Sequence, residues 1–177
     1  KPLVSFIIIN WKSEEVTAEC VASLYKLKTA EAFEVIVFDN QSTSSSLAAL
    51  QKLPVTLMHS AKNLGFGGAI NVAAKKAAGS YIALINNDAV VDANWLTNAL
   101  RTFKDTKKLA LIGGAEFLWD GTNRQRENLY SIPFVSSQSL LVRQSRKQQP
   151  SGLVPYVTAS NVLVDKQGNA YLTDFGI

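Results

Sequence analysis

Leu3-Val4-Ser5-Phe6-Ile7-Ile8-Ile9 is one nearly unbroken apolar stretch, followed at once by Asn10-Trp11. A strand with one wet face alternates polar and apolar residues, and this one does not. It reads as a strand buried on both faces, the kind a mostly parallel sheet uses. The same pattern returns in Phe33 to Phe38, Val55 to Met58 and Tyr81 to Ile85, and Leu109 to Gly113 is a fifth apolar run. The segments between these runs have helical spacing. Glu14 to Leu27 places Val16, Cys20, Val21, Leu24 and Leu27 on one side, with Ser13 ready to cap it. Leu47 to Leu53 predicts a short helix stopped by Pro54. Gly67 to Ala78 predicts an alanine-rich helix ended by Gly79, and Asp92 predicts the cap of a helix from Ala93 to Phe103.

Strand and helix thus alternate about four times, which predicts an α/β fold: a mostly parallel sheet with helices on both faces, joined by right-handed crossovers. After Gly114 the pattern changes. Phe117-Leu118-Trp119 running into Asp120-Gly121 predicts a hairpin. Residues 136–152, rich in Ser, Gln, Arg and Lys, read as a loop, and Leu153 to Val164 as extended chain.

Composition narrows the class. Hydrophobic residues make up 47% of the 177 and charged residues 18%, which fits a folded domain and not a disordered chain. The net charge of +4 is mild and suits an anionic small ligand as well as a membrane surface or nucleic acid. The basic residues are scattered, with no aromatic-basic stripe, so no nucleic acid is expected as a partner. A lone cysteine, Cys20, excludes an internal disulfide framework and fits a reducing, cytoplasmic compartment. Cys20 and the single histidine, His59, cannot make a zinc site of the usual Cys/His kind, and they read as core and strand-end residues. No apolar run approaches the roughly 20 residues of a membrane-spanning helix, and the start of the chain has no signal-peptide pattern. Arg143-Gln144-Ser145-Arg146-Lys147 reads as a solvated loop, with peripheral contact to anionic lipid or a glycan carrier as the alternative.

Ligands of such sheets bind at the carboxyl ends of the strands. Four segments fall there. Asn10-Trp11 ends the first strand, and Trp11 either stacks near a base or covers the core edge. Asp39-Asn40-Gln41-Ser42 ends the second; a carboxylate there can accept from a ribose hydroxyl or a base N–H, or it can form a turn. Asn63-Leu64-Gly65-Phe66-Gly67-Gly68 precedes the alanine-rich helix. Its glycines and the helix start suit phosphate, although neither the dinucleotide fingerprint nor a Walker loop is present. Asn86-Asn87-Asp88 closes the fourth strand, where one carboxylate can help hold a hard divalent cation whose other ligands are diphosphate oxygens.

Taken together, these segments resemble the inverting family-two glycosyltransferases of GT-A (Rossmann-like) fold, closest to their rhamnosyltransferase-like branch. The carriers are Val4 to Trp11, Val35 to Ser42, Asn63 to Gly68 with Asn71, and Leu84 to Asp88 with Trp95-Leu96. The resemblance implies transfer of a sugar, rhamnose among the candidates, from a dTDP- or UDP-linked donor to a glycan or lipid-linked acceptor at the inner face of a membrane. It implies a nucleotide-sugar pocket of Asn10, Trp11, Asp39, Asn63, Gly65, Gly67, Asn71, Asn86 and Asn87, with Asp39 on the base or ribose. It also implies Mg²⁺ or Mn²⁺ on Asp88, at the last position of a D-x-D-type motif whose first position here is Asn86. Residues 1–123 would form the donor-binding part, and 124–177 the start of an acceptor part that ends before the acidic motif carrying the family's base, so no base is assigned.

Two alternatives stay open. The first is a module of the same fold that holds a nucleotide or glycan without turnover. The tail, Ser160 to Asp165 with Asp174-Phe175-Gly176, is also similar to the end of a protein-kinase catalytic loop. There, however, Tyr156 stands where the kinase base belongs and Thr158 where its lysine belongs.

Overall fold

The computed structural model describes residues 1–106 and the strand segments 111–113, 117–119, 124–126 and 162–165. In chain order the elements are β1 (Val4–Asn10), α1 (Glu14–Leu24), β2 (Phe33–Asn40), α2 (Ser44–Leu50), β3 (Thr56–Ser60), α3 (Gly65–Ala74), β4 (Tyr81–Ile85), α4 (Trp95–Asp105), β5 (Leu111–Gly113), β6 (Phe117–Trp119), β7 (Arg124–Arg126) and β8 (Val162–Asp165). The main sheet has the order β3-β2-β1-β4-β8-β5. The first four strands in that order are mutually parallel, and β8 runs antiparallel to both β4 and β5. β6 and β7 pair as a separate antiparallel ribbon, in keeping with the expected hairpin.

The apolar strands bury both faces, as their sequences require. Val4, Phe6 and Ile8, with Val35, Val37, Ala83 and Ile85, pack under α1, α2 and α4. The alternate residues Ile7, Ile36, Phe38 and Leu84 pack under α3 through Ala69, Ile70 and Ala73. The chain steps from β1 to β2 to β3 in one direction and then returns to β4 on the far side of β1. Right-handed crossovers put the outbound helices on one face and the returning helix, α3, on the other. β3 is the exception to full burial. It lies at the sheet edge, and its five residues include two exposed ones.

Several helix boundaries differ from expectation. α1 ends at Leu24, and Ser13 stands at its N-cap position without capping; its hydroxyl donates to the Trp11 carbonyl at 2.9 Å. α2 begins at Ser44, capped by Thr43 Oγ1, which accepts from the Ser46 N–H. A run of serines carries no apolar period, so only this cap marks the start. Asp92 precedes the α4 cap position, Asn94, and accepts the Asn94 N–H at 2.9 Å. α3 runs from Gly65 to Ala74 and has Lys75 at its C-cap position. Gly79 is therefore not a cap. Its N–H donates to Ser5 Oγ at 2.8 Å, and a Cβ there would lie 2.6 Å from the Ser5 nitrogen and 2.8 Å from the Val4 carbonyl carbon. Backbone crowding against β1 is what demands a glycine.

Among the described residues no helix is long and apolar enough to cross a membrane. Arg143–Lys147, the Asp120-Gly121 turn and the kinase-like Thr173–Gly176 lie outside the described residues.

Candidate functional site

Strand order reverses between β1 and β4, and a cleft of about 440 Å³ opens at their carboxyl ends. It is lined by Ile9, Trp11 and Ser13 from the end of β1, Asn40 from β2, Asn63, Gly65 and Phe66 from the β3–α3 junction, and Asn86, Asn87 and Asp88 after β4. Of the residues expected at the site, Trp11, Asn63, Gly65, Asn86, Asn87 and Asp88 come together on its wall.

Asn10 and Asp39 do not line it. Both are fully buried, and they are partners in the β1–β2 register. Asn10 Nδ2 donates to Asp39 Oδ1 at 2.9 Å and to Ser42 Oγ at 3.1 Å. Asp39 Oδ2 accepts from the Ser42 N–H at 3.1 Å and from His59 Nδ1 at 2.8 Å. Asn10 Oδ1 accepts from the Thr17 hydroxyl at 2.7 Å, and that hydroxyl accepts from Asn87 Nδ2 at 3.3 Å. One connected network therefore runs behind the cleft from the turn after β4 through α1, β1 and β2 to β3. Direct contact of Asp39 with a nucleotide would require one of its present partners to give way. Burial opposes ionisation of Asp39, but hydrogen bonds from Ser42, Asn10 and His59 outweigh it and hold the carboxyl below its ordinary value.

The turns after β1 and β2 are locked to each other. Lys12 and Gln41 take φ of 54° and 74°, unusual for residues with a side chain, and the Lys12 N–H donates to Ser42 Oγ at 3.1 Å. This lock carries Trp11, half exposed, with Lys12 Nζ 5.2 Å from its ring centroid.

At the β3–α3 junction the helix starts at Gly65, with φ of 70°, and not at Gly67. Gly67 is a half-buried residue of the first turn, and Asn71 is exposed further along α3; neither is on the cleft wall. Asn40 and Asn63 hold the junction with their amides.

Asp88 is exposed at the cleft. Behind it, Cys20 Sγ donates to the Asn86 carbonyl at 3.4 Å. Burial first, and then the Asp88 charge, push the Cys20 thiol up to about 12. Among the described residues no group of three or more His, Cys, Asp or Glu side chains could hold a metal ion. One carboxylate beside the amides of Asn86 and Asn87 fits an ion of the Mg²⁺ or Mn²⁺ kind only if a ligand's oxygens complete it.

The sequence reading gives no site role to Thr17 or His59, and it includes Asn40, Ser42 and Phe66 in the strand-end segments without assigning any of them a role of its own. Strand alternation carried a signal for one of them. Asp39 and Asn40 are neighbours, so their side chains point to opposite faces, and both cannot serve the same element.

A four-stranded parallel sheet flanked by helices, with its cleft at the strand-order reversal, is the GT-A form of the α/β class, and its structural neighbours are GT-A glycosyltransferases. The sequence pattern of glycosyl transferase family 2 matches residues 5–170, and the chain belongs to that family. A chondroitin synthase of Escherichia coli is 28% identical over 143 residues, covering 78% of this chain and 21% of that protein. An uncharacterized glycosyltransferase of Haemophilus influenzae is 24% identical over 117 residues, covering 63% of this chain and 36% of that one. The chain thus spans about a third or less of the curated relatives it matches. The mannosyltransferase PcManGT from Pyrobaculum calidifontis, solved with GDP-Man and Mn²⁺, superposes with a TM-score of 0.59 at 21% identity, over 66% of this chain and 36% of that one. S. aureus TarS superposes with a TM-score of 0.52 at 28% identity, over 58% of this chain and 19% of that one.

Proposed function

We propose that residues 1–123 form the donor-binding part of an inverting, nucleotide-sugar-dependent glycosyltransferase. A dTDP- or UDP-linked sugar, rhamnose among the candidates, would be the donor, and a glycan or lipid-linked saccharide the acceptor. The observation that carries the reading is the convergence of Trp11, Asn63, Gly65 and Asp88 on one cleft at the strand-order reversal. Solved neighbours support the ligand class: PcManGT holds GDP-Man with Mn²⁺, and TarS has been solved with UDP and with UDP-GlcNAc.

In this reading Trp11 and Asn63 border the nucleoside. Asp39 acts on it from behind, through the turns it ties, or directly by releasing His59 or Ser42. The first turn of α3 faces the diphosphate, because a helix start presents donors and a favourable dipole to an anion. Asp88 holds the divalent ion, with Asn86 and Asn87 beside it. The ion, when bound, neutralises charge on the departing diphosphate. Inversion requires a base that takes the proton of the acceptor hydroxyl as it attacks the anomeric carbon in line. No described residue is assigned to that task.

Calorimetry with UDP-, dTDP- and GDP-sugars in Mn²⁺ tests the reading. Binding of one class, weakened by chelation, supports it. No binding by any of the three would remove it.

A further inference from the structure

Asn40 is 3% exposed, closes β2 and reaches the cleft wall on the α3 side. Both ends of its amide are used. Oδ1 accepts the Leu64 N–H at 2.8 Å. Nδ2 donates to Asn63 Oδ1 at 2.9 Å and, at 3.4 Å, to the Gly65 carbonyl. Asn63 Oδ1 also accepts the Gly65 N–H at 2.8 Å.

The backbone dictates how these amides are oriented. A Leu64 N–H needs an oxygen, which turns Asn40 Oδ1 toward it and leaves Nδ2 for the other side. A Gly65 N–H likewise fixes Asn63 Oδ1, so the two amides fit in one way only. The result is a clamp between the end of β2 and the start of α3. It closes around Gly65, whose left-handed φ turns the chain into the helix. No other amino acid of this size supplies the pair of functions. Asp would set a second oxygen against Asn63 Oδ1 and the Gly65 carbonyl, and Leu would leave a backbone donor without a partner.

We propose that Asn40 is the positioning residue of the phosphate subsite. By accepting the Leu64 N–H and holding Asn63 Oδ1 where it takes the Gly65 N–H, it fixes the turn and sets where the first turn of α3 stands against the cleft. It acts through the loop and touches no reacting atom. This inference rests on reading the cleft as a nucleotide site.

The test compares the full chain with Asn40→Ala and Asn40→Asp. Whichever of UDP, dTDP and GDP binds the parent most tightly in Mn²⁺ is titrated, along with its free nucleoside. Amide hydrogen exchange at Leu64 and Gly65 is followed in parallel, without ligand. In both variants the diphosphate is expected to lose tenfold or more in affinity, while the nucleoside stays within about twofold, since one lost buried hydrogen bond costs about a factor of ten. Leu64 and Gly65 should exchange faster in Asn40→Ala. In Asn40→Asp, which keeps an acceptor for Leu64, only Gly65 should do so. Unchanged diphosphate affinity overturns the proposal, and so does an equal loss for diphosphate and nucleoside, which marks general damage. A parent that binds none of the three diphosphates overturns the nucleotide reading and, with it, the phosphate role. The exchange measurements, needing no ligand, then decide separately whether Asn40 clamps the loop.

Discussion

Asn10 Nδ2 stands 2.9 Å from Asp39 Oδ1, between residues paired in the β1–β2 register and both closed to solvent. This contact joins the two strand ends that carry the Trp11 and Ser42 turns. Because Asn10 also touches Thr17 and Ser42, the pair is the midpoint of a network that crosses the carboxyl edge of the sheet. Among the described residues no buried side-chain nitrogen or oxygen lacks a hydrogen-bond partner, so each group in the network costs stability if its partner is removed.

The depressed Asp39 carboxyl makes stability depend on pH with a definite sign. Its folded value lies below the ordinary 3.8, so its contribution is present above that pH and is lost as pH falls through the lower folded value. Thermal midpoints recorded from pH 6 to pH 2 should fall steeply below pH about 4, and less steeply in Asp39→Asn. At neutral pH that variant should be less stable by about 2–3 kcal/mol, the worth of hydrogen bonds to a charge. Parallel slopes for the two proteins would remove Asp39 as the cause.

Asp88→Ala separates the ion from the nucleoside. Diphosphate affinity in Mn²⁺ should fall at least tenfold, approaching that of the parent protein in chelator, while the free nucleoside binds as before. Equal losses for both ligands would show that Asp88 does not hold the ion.

Two glycines fail for different reasons when replaced by alanine. Gly79→Ala sets a Cβ against backbone atoms that cannot swing aside and should cost about 2 kcal/mol or more in chemical denaturation. Gly65→Ala meets nothing within 4 Å, so its cost is the left-handed φ of 70° alone, about 1–2 kcal/mol. The second variant should also weaken diphosphate binding, because relaxing that φ moves the start of α3. A milder effect at Gly79 than at Gly65 would contradict the packing described.

Cys20 should be inert in the folded chain. It is buried, and its thiol is pushed up to about 12, so the thiolate at pH 8 is roughly one part in ten thousand. Iodoacetamide at pH 8 should label it only at the rate of unfolding, with full labelling in urea. Rapid labelling of the native protein would show that α1 opens from the sheet.

The sequence by itself determined the alternation of elements, the burial of β1, β2 and β4 on both faces, and the four strand-end segments that build the cleft. Long apolar runs have only one stable place, between two layers of helices, and the polar residues that end them must then gather at one edge. Tertiary structure alone decided which strand-end residues form the wall and which stand behind it. Asn10 and Asp39 look as available in sequence as Asn63 or Asp88, but the β1–β2 register sets them opposite each other beneath α1, where they satisfy one another. Gly79 has the sequence signature of a helix cap. Only the close approach of its backbone to Ser5 shows that its lack of a side chain matters for space and not for φ. Asn40 lies in one of the strand-end segments but has no role legible there, because a clamp across 24 residues is a relation between β2 and the start of α3 that exists only once the sheet has formed.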